Sequence, residues 1–335
     1  MLKISYIIPC YNGERYIADC LDNILSQNLP ESDYEIVCVN DCSTDLTADI
    51  ITQFRQKHQN IVLVQHSENK RQGGAKNTGI RSARGEYLVF IDQDDQLGNL
   101  NTAEIYQNVK NAELDVAAFK FLVELQAKRW YEKGTLDSES PIMTGKEYCE
   151  QHATPEISFA PWSYWYRREY LLKLNRWFAE KVMWEDADWV AQAVFFAEKI
   201  KFFPIVVYRW AYNHISISHT IDYRTLADMI LMGWRKFYFA NEIEQTSPVF
   251  SQIMKSDGLY NGACIKNIWK LDSNAVKLFY LRIKTVNSTE QYIGSMRAII
   301  KFLYRNNRFV CSAIKITTPI INFLRFFKRN VNGNS

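Results

Sequence analysis

Residues 3–27 read KISYIIPCYNGERYIADCLDNILSQ, and this stretch decides the fold class. Residues 3–9 form a short apolar run of the kind found in strands that are buried on both faces of a sheet. Residues 14–27 then carry apolar side chains at helical spacing, namely Ile17, Leu21, Ile24 and Leu25. A buried strand followed directly by an amphipathic helix predicts the start of an α/β fold.

The alternation of strand-like and helix-like segments continues through the first 120 residues. Further strands are predicted at residues 35–39, 61–65, 86–92 and 115–119, and Ser43 is predicted to cap the second helix. Because strands that alternate with helices are joined by right-handed crossovers, we expect a mostly parallel sheet with helices on its flanks.

Different patterns begin after residue 120. Residues 129–140 are predicted to form a loop or hairpin, a helix is predicted to start near Glu185, and residues 201–210 are predicted to form a strand. From about residue 222 the pattern is helical to the end. The sequence therefore predicts an α/β domain at residues 1–220 and a helical C-terminal region at residues 221–335.

Composition excludes several classes of protein. With 47% hydrophobic residues, 13 Gly and 8 Pro among 335 residues, the chain is neither collagen-like nor largely disordered. The seven cysteines include no CxxC pair, which argues against a zinc site or a disulfide framework and favours a reduced, cytoplasmic location. We expect neither a signal peptide nor a transmembrane helix, since no uncharged apolar stretch reaches roughly 18 residues.

Charge is distributed unevenly along the chain, whose net charge is +3. No Asp or Glu follows Glu290, and the same segment carries eight basic residues: Arg297, Lys301, Arg305, Arg308, Lys315, Arg325, Lys328 and Arg329. Basic residues beside bulky apolar ones suit a helix that lies on a membrane surface. Docking of this tail onto the first domain or onto a second subunit is equally compatible, whereas nucleic-acid binding is not expected.

Polar clusters follow three of the predicted strands. They are Pro9-Cys10-Tyr11-Asn12, Asn40-Asp41 and Asp92-Gln93-Asp94-Asp95. Each cluster alone is typical of a turn, but ligands of open parallel sheets bind at the carboxyl ends of the strands. Four carboxylates at one edge repel each other unless a cation offsets them. A divalent metal that carries a diphosphate would meet this need.

Five segments together resemble inverting glycosyltransferases of family 2, which have the GT-A fold. They are IIPCYNGERYI (7–17), VNDCSTDLT (39–47), GGAKNTGI (73–80), GEYLVFIDQDD (85–95) and MWEDADW (183–189). The resemblance covers about residues 1–220. It implies transfer of a sugar from a nucleotide donor, commonly UDP-linked, to a saccharide or lipid-linked acceptor during surface-polysaccharide assembly.

The resemblance also implies roles for the residues that would bind the nucleotide sugar. Tyr11 would stack on the base with Pro9 beside it, and Asp41 would accept a hydrogen bond from the uracil N3–H. Asn69 and Lys76 would lie along the nucleotide. Lys76 stands where the family often has Arg, and Lys lacks the planar fork with which Arg binds a phosphate.

The acidic cluster after the fourth predicted strand would hold the metal. By the same resemblance, Asp92 points toward the ribose, Asp94 binds Mn²⁺ or Mg²⁺, and Asp95 supports the metal site. Asn40 departs from the family, which often has Asp at that position, but this change removes no group that the chemistry needs.

Glu185 and Asp186 are the candidate catalytic residues. Acids in a first helical turn also interact favourably with the helix dipole, so a purely structural role is the alternative. Asp186 shares a helical stripe with Val190, Ala193 and Ala197, and this stripe is predicted to face inward, while Glu185 and Asp188 are predicted to point elsewhere. With the resemblance, this predicts Asp186 as the general base.

Other features leave alternatives open. The pair Gly73-Gly74 is predicted to lie in a flexible loop, with exposure of backbone amides to phosphate as the alternative. The aromatic residues Trp162, Tyr164, Trp165 and Tyr166 could stack on acceptor sugars or belong to the core. A loop that closes over the donor phosphates is expected around His214, Ser216 and Ser218, with His219 as a spare metal candidate.

Two other functions remain open from the sequence. A sugar-phosphate nucleotidyltransferase also uses metal-binding carboxylates, but it usually has a glycine-rich loop after the first strand, where this chain has Cys10-Tyr11-Asn12-Gly13. A catalytically silent nucleotide-binding homologue could lose Asp94 or Asp186, and this chain has both.

Overall fold

The computed structural model describes residues 2–125, 129–134, 136–152, 160–211 and 223–262. The chain divides into two compact units, Met1–His219 with Met232–Leu259, and Thr220–Leu231 with Tyr260–Ser335. Residues 232–259 thus join the first unit, although they lie beyond the predicted boundary at residue 220. The separate C-terminal region stays a prediction, and its basic tail lies outside the described residues.

Four parallel strands form the first half of the sheet in the order β3-β2-β1-β4. They are β1 (Ile4–Cys10), β2 (Tyr34–Asn40), β3 (Ile61–Gln65) and β4 (Tyr87–Phe90). Between them lie α1 (Ile17–Leu25), α2 (Thr47–Lys57) and α3 (Arg71–Ser82). Every residue of β1 and β2 is buried, as expected for strands with helices on both faces. The predicted α/β class is confirmed.

The second half of the sheet is mixed. Its strands are β5 (Gln96–Leu97), β6 (Val116–Leu125), β7 (Arg129–Lys133), β8 (Tyr164–Arg167) and β9 (Ile200–Trp210). Strand β8 runs antiparallel between β4 and β6, β9 runs parallel to β6 and antiparallel to β5, and β7 pairs antiparallel with β6. The remaining helices are α4 (Thr102–Asn111), α5 (Gly145–His152), α6 (Arg168–Leu174), α7 (Asp186–Phe195), α8 (Tyr223–Ile243) and α9 (Pro248–Gly262).

The sheet separates two hydrophobic clusters. Tyr6 and Ile8 of β1 pack in one cluster and Ile7 packs in the other, because successive side chains of a strand point to opposite faces. Phe239 and Phe250, from the segment that rejoins the first unit, pack in the second cluster. In the part of the chain that the structure describes, no helix combines the length and apolar character needed to cross a membrane.

The aromatic residues of the segment 162–166 belong to the core. Trp162, Tyr164, Trp165 and Tyr166 are all at most 9% exposed. The ring of Trp162 stacks on Tyr208, with centroids 4.3 Å apart. Core packing therefore explains this segment, and its rings are not available to stack on an acceptor sugar.

Candidate active site

The carboxyl ends of β1, β2 and β4 lie side by side, because β1 pairs with both of the other strands. The Asp41 N–H donates to the carbonyl oxygen of Cys10 at 2.8 Å, and the Ile91 N–H donates to that of Ile7 at 3.0 Å. These bonds continue the strand pairing up to the polar clusters. The three clusters predicted from the sequence therefore meet at one edge of the sheet.

The turn after β1 is held by Gln93. The Tyr11 N–H donates to Gln93 Oε1 at 3.0 Å, and Gln93 Nε2 donates to the Tyr11 carbonyl oxygen at 2.9 Å. Gly13 makes room for this contact, since a Cβ there would lie 2.2 Å from Gln93 Oε1. Tyr11 is 47% exposed, which suits a ring that stacks on a ligand, whereas Pro9 is buried within β1.

Asp41 directly follows β2 and is 2% exposed. Its Oδ1 accepts from His66 Nδ1 at 2.7 Å and from the Lys70 N–H at 2.8 Å. Its carbonyl oxygen accepts from Asn69 Nδ2 at 3.1 Å. Its Oδ2 is fully buried, yet it has no hydrogen-bond partner among the described residues. Because buried carboxylate oxygens are normally paired, Oδ2 is a candidate acceptor for a ligand N–H.

The loop after β2 corrects one prediction from the sequence. Ser43 does not cap α2, because its hydroxyl donates to Asn40 Oδ1 at 2.5 Å and accepts from the Asn12 N–H at 3.0 Å. The residue at the cap position is Leu46, which makes no side-chain cap bond, and the Oδ1 atom of the preceding Asp45 accepts from the Thr47 N–H at 3.1 Å. Ser43 thus joins the loops that follow β1 and β2.

Lys76 lies in α3 and forms a buried ion pair. Its Nζ is 2.8 Å from Glu185 Oε1, and both side chains are at most 4% exposed. Burial alone would lower the pKa of Lys76, but Glu185 and the neighbouring carboxylates raise it above its ordinary value. Lys76 therefore links α3 to the acidic segment before α7, and its predicted contact with the nucleotide stays a prediction.

The glycine pair Gly73-Gly74 lies inside α3, so the flexible-loop prediction is wrong. No glycine of the described residues has a positive φ. The reason for glycine is space: a Cβ on Gly73 would lie 2.0 Å from the Ala179 carbonyl oxygen, and one on Gly74 would lie 2.3 Å from the Cβ of Lys70. Gly73 lets the chain segment that leads to Glu185 approach α3.

A second side chain of α3 holds the same segment. Asn77 Nδ2 donates to the carbonyl oxygen of Phe178 at 2.9 Å, and Asn77 Oδ1 accepts from the Phe178 N–H at 3.0 Å. The Asn77 amide thus pairs with the backbone of Phe178 as a neighbouring strand would. The position of Glu185 is therefore set by packing at Gly73, by hydrogen bonds at Asn77 and by the Lys76 ion pair.

Asp95 anchors the turn after β4. Its Oδ2 accepts from the Tyr208 hydroxyl at 2.8 Å and its Oδ1 from the Ala211 N–H at 2.9 Å. Burial, with Asp92 and Asp94 close by, raises the pKa of Asp95 well above its ordinary value. Both oxygens have protein partners and the residue is 3% exposed, so Asp95 anchors this turn, and its support of a metal site stays a prediction.

The prediction that Glu185 and Asp188 point elsewhere is wrong, whereas the stripe of Val190, Ala193 and Ala197 is buried as predicted. Glu185 is 3% exposed and Asp188 is fully buried, with Asp188 Oδ2 accepting from Arg235 Nε at 2.8 Å. Asp186 is the partly exposed member of the group. Loss of bulk water around its carboxyl group, followed by the charge of Glu185, raises the pKa of Asp186 to about 7. Asp186 is therefore both accessible and poised to accept a proton near neutral pH.

The acidic side chains of Asp92 and Asp94 fit a metal ion that takes its other ligands from a bound phosphate group. In the described ranges, no three His, Cys, Asp or Glu side chains form a ready-made metal site. Burial and the charges of Asp94 and Glu185 raise the pKa of Asp92 to about 6, although Lys76 opposes this shift. A cation would relieve that repulsion, and Mg²⁺ commonly takes one or two carboxylates plus substrate phosphate oxygens.

The loop that was expected to close over the donor phosphates, with His214, Ser216, Ser218 and His219, lies outside the described residues.

Sequence comparison identifies the family of this chain. Residues 5–174, just over half of its length, match the model of Glycosyl transferase family 2. A poly(ribitol-phosphate) beta-glucosyltransferase of Bacillus spizizenii is 40% identical over 36% of this chain and 19% of that protein. The uncharacterized glycosyltransferase EpsJ of Bacillus subtilis is 31% identical over 67% of this chain and 65% of that protein. The chain thus spans less than two thirds of either relative.

Solved structures share the fold. Residues 1–349 of TarS from Staphylococcus aureus, crystallised with UDP-GlcNAc, match 95% of this chain and 92% of that one, with a TM-score of 0.64 and 19% identity. A mannosyltransferase of Pyrobaculum calidifontis, in complex with GDP-Man and Mn²⁺, matches 93% of this chain and 86% of that one, with a TM-score of 0.52 and 17% identity. These likenesses bear out the predicted GT-A fold, and with the match over residues 5–174 the chain belongs to Glycosyl transferase family 2.

Proposed function

We propose that this chain is an inverting glycosyltransferase that moves a sugar from a UDP-linked donor to a hydroxyl of a saccharide or lipid-linked acceptor. The observation that carries the proposal is the presence of two acidic groups near the carboxyl ends of the strands: Asp41 follows β2, and Asp186 lies close enough to Asp92 for their charges to interact. Asp41 has a buried oxygen, Oδ2, to which no described residue donates a hydrogen bond, and this suits a nucleobase N–H. Asp186 offers a partly exposed carboxylate with a pKa of about 7, which suits a general base.

Asp186 would take the proton of the acceptor hydroxyl as its oxygen attacks the anomeric carbon. The attack comes from the face opposite the diphosphate, so a new carbon–oxygen bond forms while the bond to the phosphate oxygen breaks. The electron pair of the broken bond leaves with UDP, and the configuration at the anomeric carbon is inverted. Lys76 and Glu185 support this step indirectly, because their ion pair fixes the residue before Asp186.

Asp94, with Asp92 beside it, would hold a divalent metal, Mn²⁺ or Mg²⁺. When bound, such an ion stabilises the negative charge that develops on the departing diphosphate. The acidic turn after β4 supports this assignment, since burial and the charges of neighbouring carboxylates raise the pKa of Asp92. Asp95 completes the turn through its bonds to Tyr208 and Ala211.

The biological setting follows from the relatives and from the tail. The names of the relatives include transferases that act on poly(ribitol-phosphate), which supports a role in surface-polysaccharide assembly. The basic segment after Glu290 supports a cytoplasmic enzyme whose tail contacts the inner face of the membrane, where lipid-linked acceptors are held.

The test begins with binding. Calorimetry of the full chain with UDP, CDP and GDP, each with Mn²⁺ or EDTA, should show metal-dependent binding of UDP that Asp94→Ala weakens. Incubation with UDP-glucose or UDP-GlcNAc should then release UDP, and Asp186→Asn should lower this turnover by at least about 100-fold without changing UDP affinity. Asp49→Asn is the matched control, because Asp49 is also an acid in the first turn of a helix. Near-wild-type turnover in Asp186→Asn, or pyrophosphate release from UTP and a sugar phosphate, would overturn the proposal.

A further inference from the structure

The imidazole ring of His66 is fixed at both of its nitrogen atoms. Nδ1 lies 2.7 Å from Asp41 Oδ1, and Nε2 lies 2.9 Å from Thr78 Oγ1. The backbone of His66 is fixed as well, since its N–H donates to the Asn40 carbonyl oxygen at 3.0 Å and its own carbonyl oxygen accepts from the Cys42 thiol at 3.1 Å. The side chain is 6% exposed, so protein surrounds the ring on nearly all sides.

The hydrogen-bond pattern assigns the tautomer of His66. A carboxylate oxygen only accepts hydrogen bonds, so the nitrogen that faces Asp41 must carry a proton. In the neutral ring, Nε2 is then the acceptor for the Thr78 hydroxyl. Thr78 lies in α3 and Asp41 follows β2, so this one ring connects the helix to the end of the strand.

This connection fixes the Asp41 carboxylate. Oδ1 receives hydrogen bonds from His66 Nδ1 and from the Lys70 N–H, so the two oxygens cannot exchange places unless both bonds break. Oδ2 is buried, and it accepts no hydrogen bond from the described part of the chain. Asp41 therefore has one buried acceptor oxygen whose place is fixed and whose hydrogen-bonding capacity no described residue uses.

We propose that His66 is a positioning residue for nucleobase recognition, which holds Asp41 so that Oδ2 selects a base with an N–H at that place, such as uracil. This inference rests on the proposed function and extends it to the choice of base. His66 acts through Asp41 and does not touch the ligand. Cytosine presents an acceptor nitrogen where uracil presents N3–H. Two acceptors would then face each other, and the fixed carboxylate of Asp41 could not rotate to avoid this contact.

Two substitutions at His66 separate positioning from packing. The amide nitrogen of His66→Asn reaches the place of Nδ1 and keeps a donor on Asp41. The amide nitrogen of His66→Gln reaches the place of Nε2 and leaves Asp41 without that donor. His58→Asn is the matched control, because His58 Nδ1 also contacts a carboxylate, Glu31 Oε1 at 2.8 Å, far along the chain from Asp41.

The measurement is the ratio of the dissociation constants of CDP and UDP, obtained by calorimetry with Mn²⁺. The wild type is expected to prefer UDP by about 10- to 100-fold, the range for a hydrogen bond to a charged group. His66→Asn and His58→Asn should keep this preference, whereas His66→Gln should lose about tenfold of it. If His66→Gln does not fold, Thr78→Val takes its place in the test. It removes the hydroxyl that contacts Nε2 of the ring and should lower the preference for UDP.

The outcomes distinguish the inference from the proposed function. If the wild type prefers UDP and His66→Gln, or a folded Thr78→Val, keeps that preference in full, the role of His66 is overturned while the proposed function stands. Equal losses in His66→Asn and His66→Gln would show a packing role and would overturn it too, as would equal binding of UDP and CDP by the wild type. Absence of binding of UDP, CDP and GDP by the wild type would refute the proposed function itself.

Discussion

Replacement of Lys76 by Met tests whether the buried ion pair organises the site. The Lys76 Nζ lies 2.8 Å from Glu185 Oε1, with the two side chains 2% and 4% exposed. Lys76→Met leaves Glu185 buried beside Asp92 and Asp186 without its cation. Removal of one partner from a buried pair typically costs about 3–5 kcal/mol, so the free energy of unfolding should fall by that amount at pH 7.5 in urea or guanidinium titrations.

The pH dependence gives a second readout of the same change. Burial raises the folded-state pKa values of Asp92 and Asp186, and Lys76 opposes both shifts, so both values should rise further without Lys76. A carboxyl group with a raised folded pKa stabilises the folded state at low pH, and this stability is lost as the pH rises through the folded pKa. The deficit of Lys76→Met should therefore grow from pH 5 to pH 8.

Two controls sharpen the experiment. Lys181 pairs with Glu68 at 3.1 Å, with the two side chains 49% and 59% exposed, so Lys181→Met should cost about 1 kcal/mol or less. The double variant Lys76→Met/Glu185→Leu replaces the pair with apolar side chains and should recover most of the loss. A loss below about 1 kcal/mol for Lys76→Met, or no recovery in the double variant, would refute the buried-pair account.

Three further changes probe the same site. Asp186→Asn removes the proposed general base, so donor turnover should fall by at least about 100-fold. It also removes one of the crowded negative charges, so the melting temperature at pH 7.5 should rise, and a lower melting temperature would contradict this. Gly73→Ala places a Cβ 2.0 Å from the Ala179 carbonyl oxygen and should cost about 1–3 kcal/mol in denaturant unfolding, whereas the same change in an uncrowded helix stabilises. Tyr208→Phe removes the hydroxyl that donates to Asp95 and should cost about 1–3 kcal/mol, and an unchanged unfolding midpoint would argue against the anchoring role.

The first half of the fold could be predicted because local patterns report burial there. Strand β3 was predicted at residues 61–65 and runs from Ile61 to Gln65. The continuous apolar runs of β1 and β2 are the direct result of helices that cover both faces of the sheet. Strand β8 was not predicted, because it is a four-residue strand (Tyr164–Arg167) whose place between β4 and β6 depends on partners far away in sequence.

The site was predicted in outline, and the errors share a physical cause. Spacing on a helix sets the angle between Asp186 and its neighbours, but it does not say which side the fold covers. Glu185 turns inward because Lys76, 109 residues away, offers a buried cation. Gln93 and His66 were missed for the same reason, since a lone amide or imidazole has no local signal and gains its role only from partners that folding brings close.

Three buried acidic residues of this site are of two kinds: Asp95 and Glu185 hold its framework, and Asp41 is proposed to bind a ligand. Since all three are buried, what separates them is whether a buried carboxylate oxygen lacks a hydrogen-bond partner. Asp95 is buried with both oxygens paired, and Glu185 is buried against Lys76, so both belong to the framework of the site. Asp41 is equally buried, but one of its oxygens has no partner within the described ranges. No described residue replaces the hydrogen bonds to water that this oxygen loses on burial, which costs free energy in the folded protein. Under the proposed function, a ligand N–H that restores the missing bond would recover this cost on binding and so raise the affinity for the base.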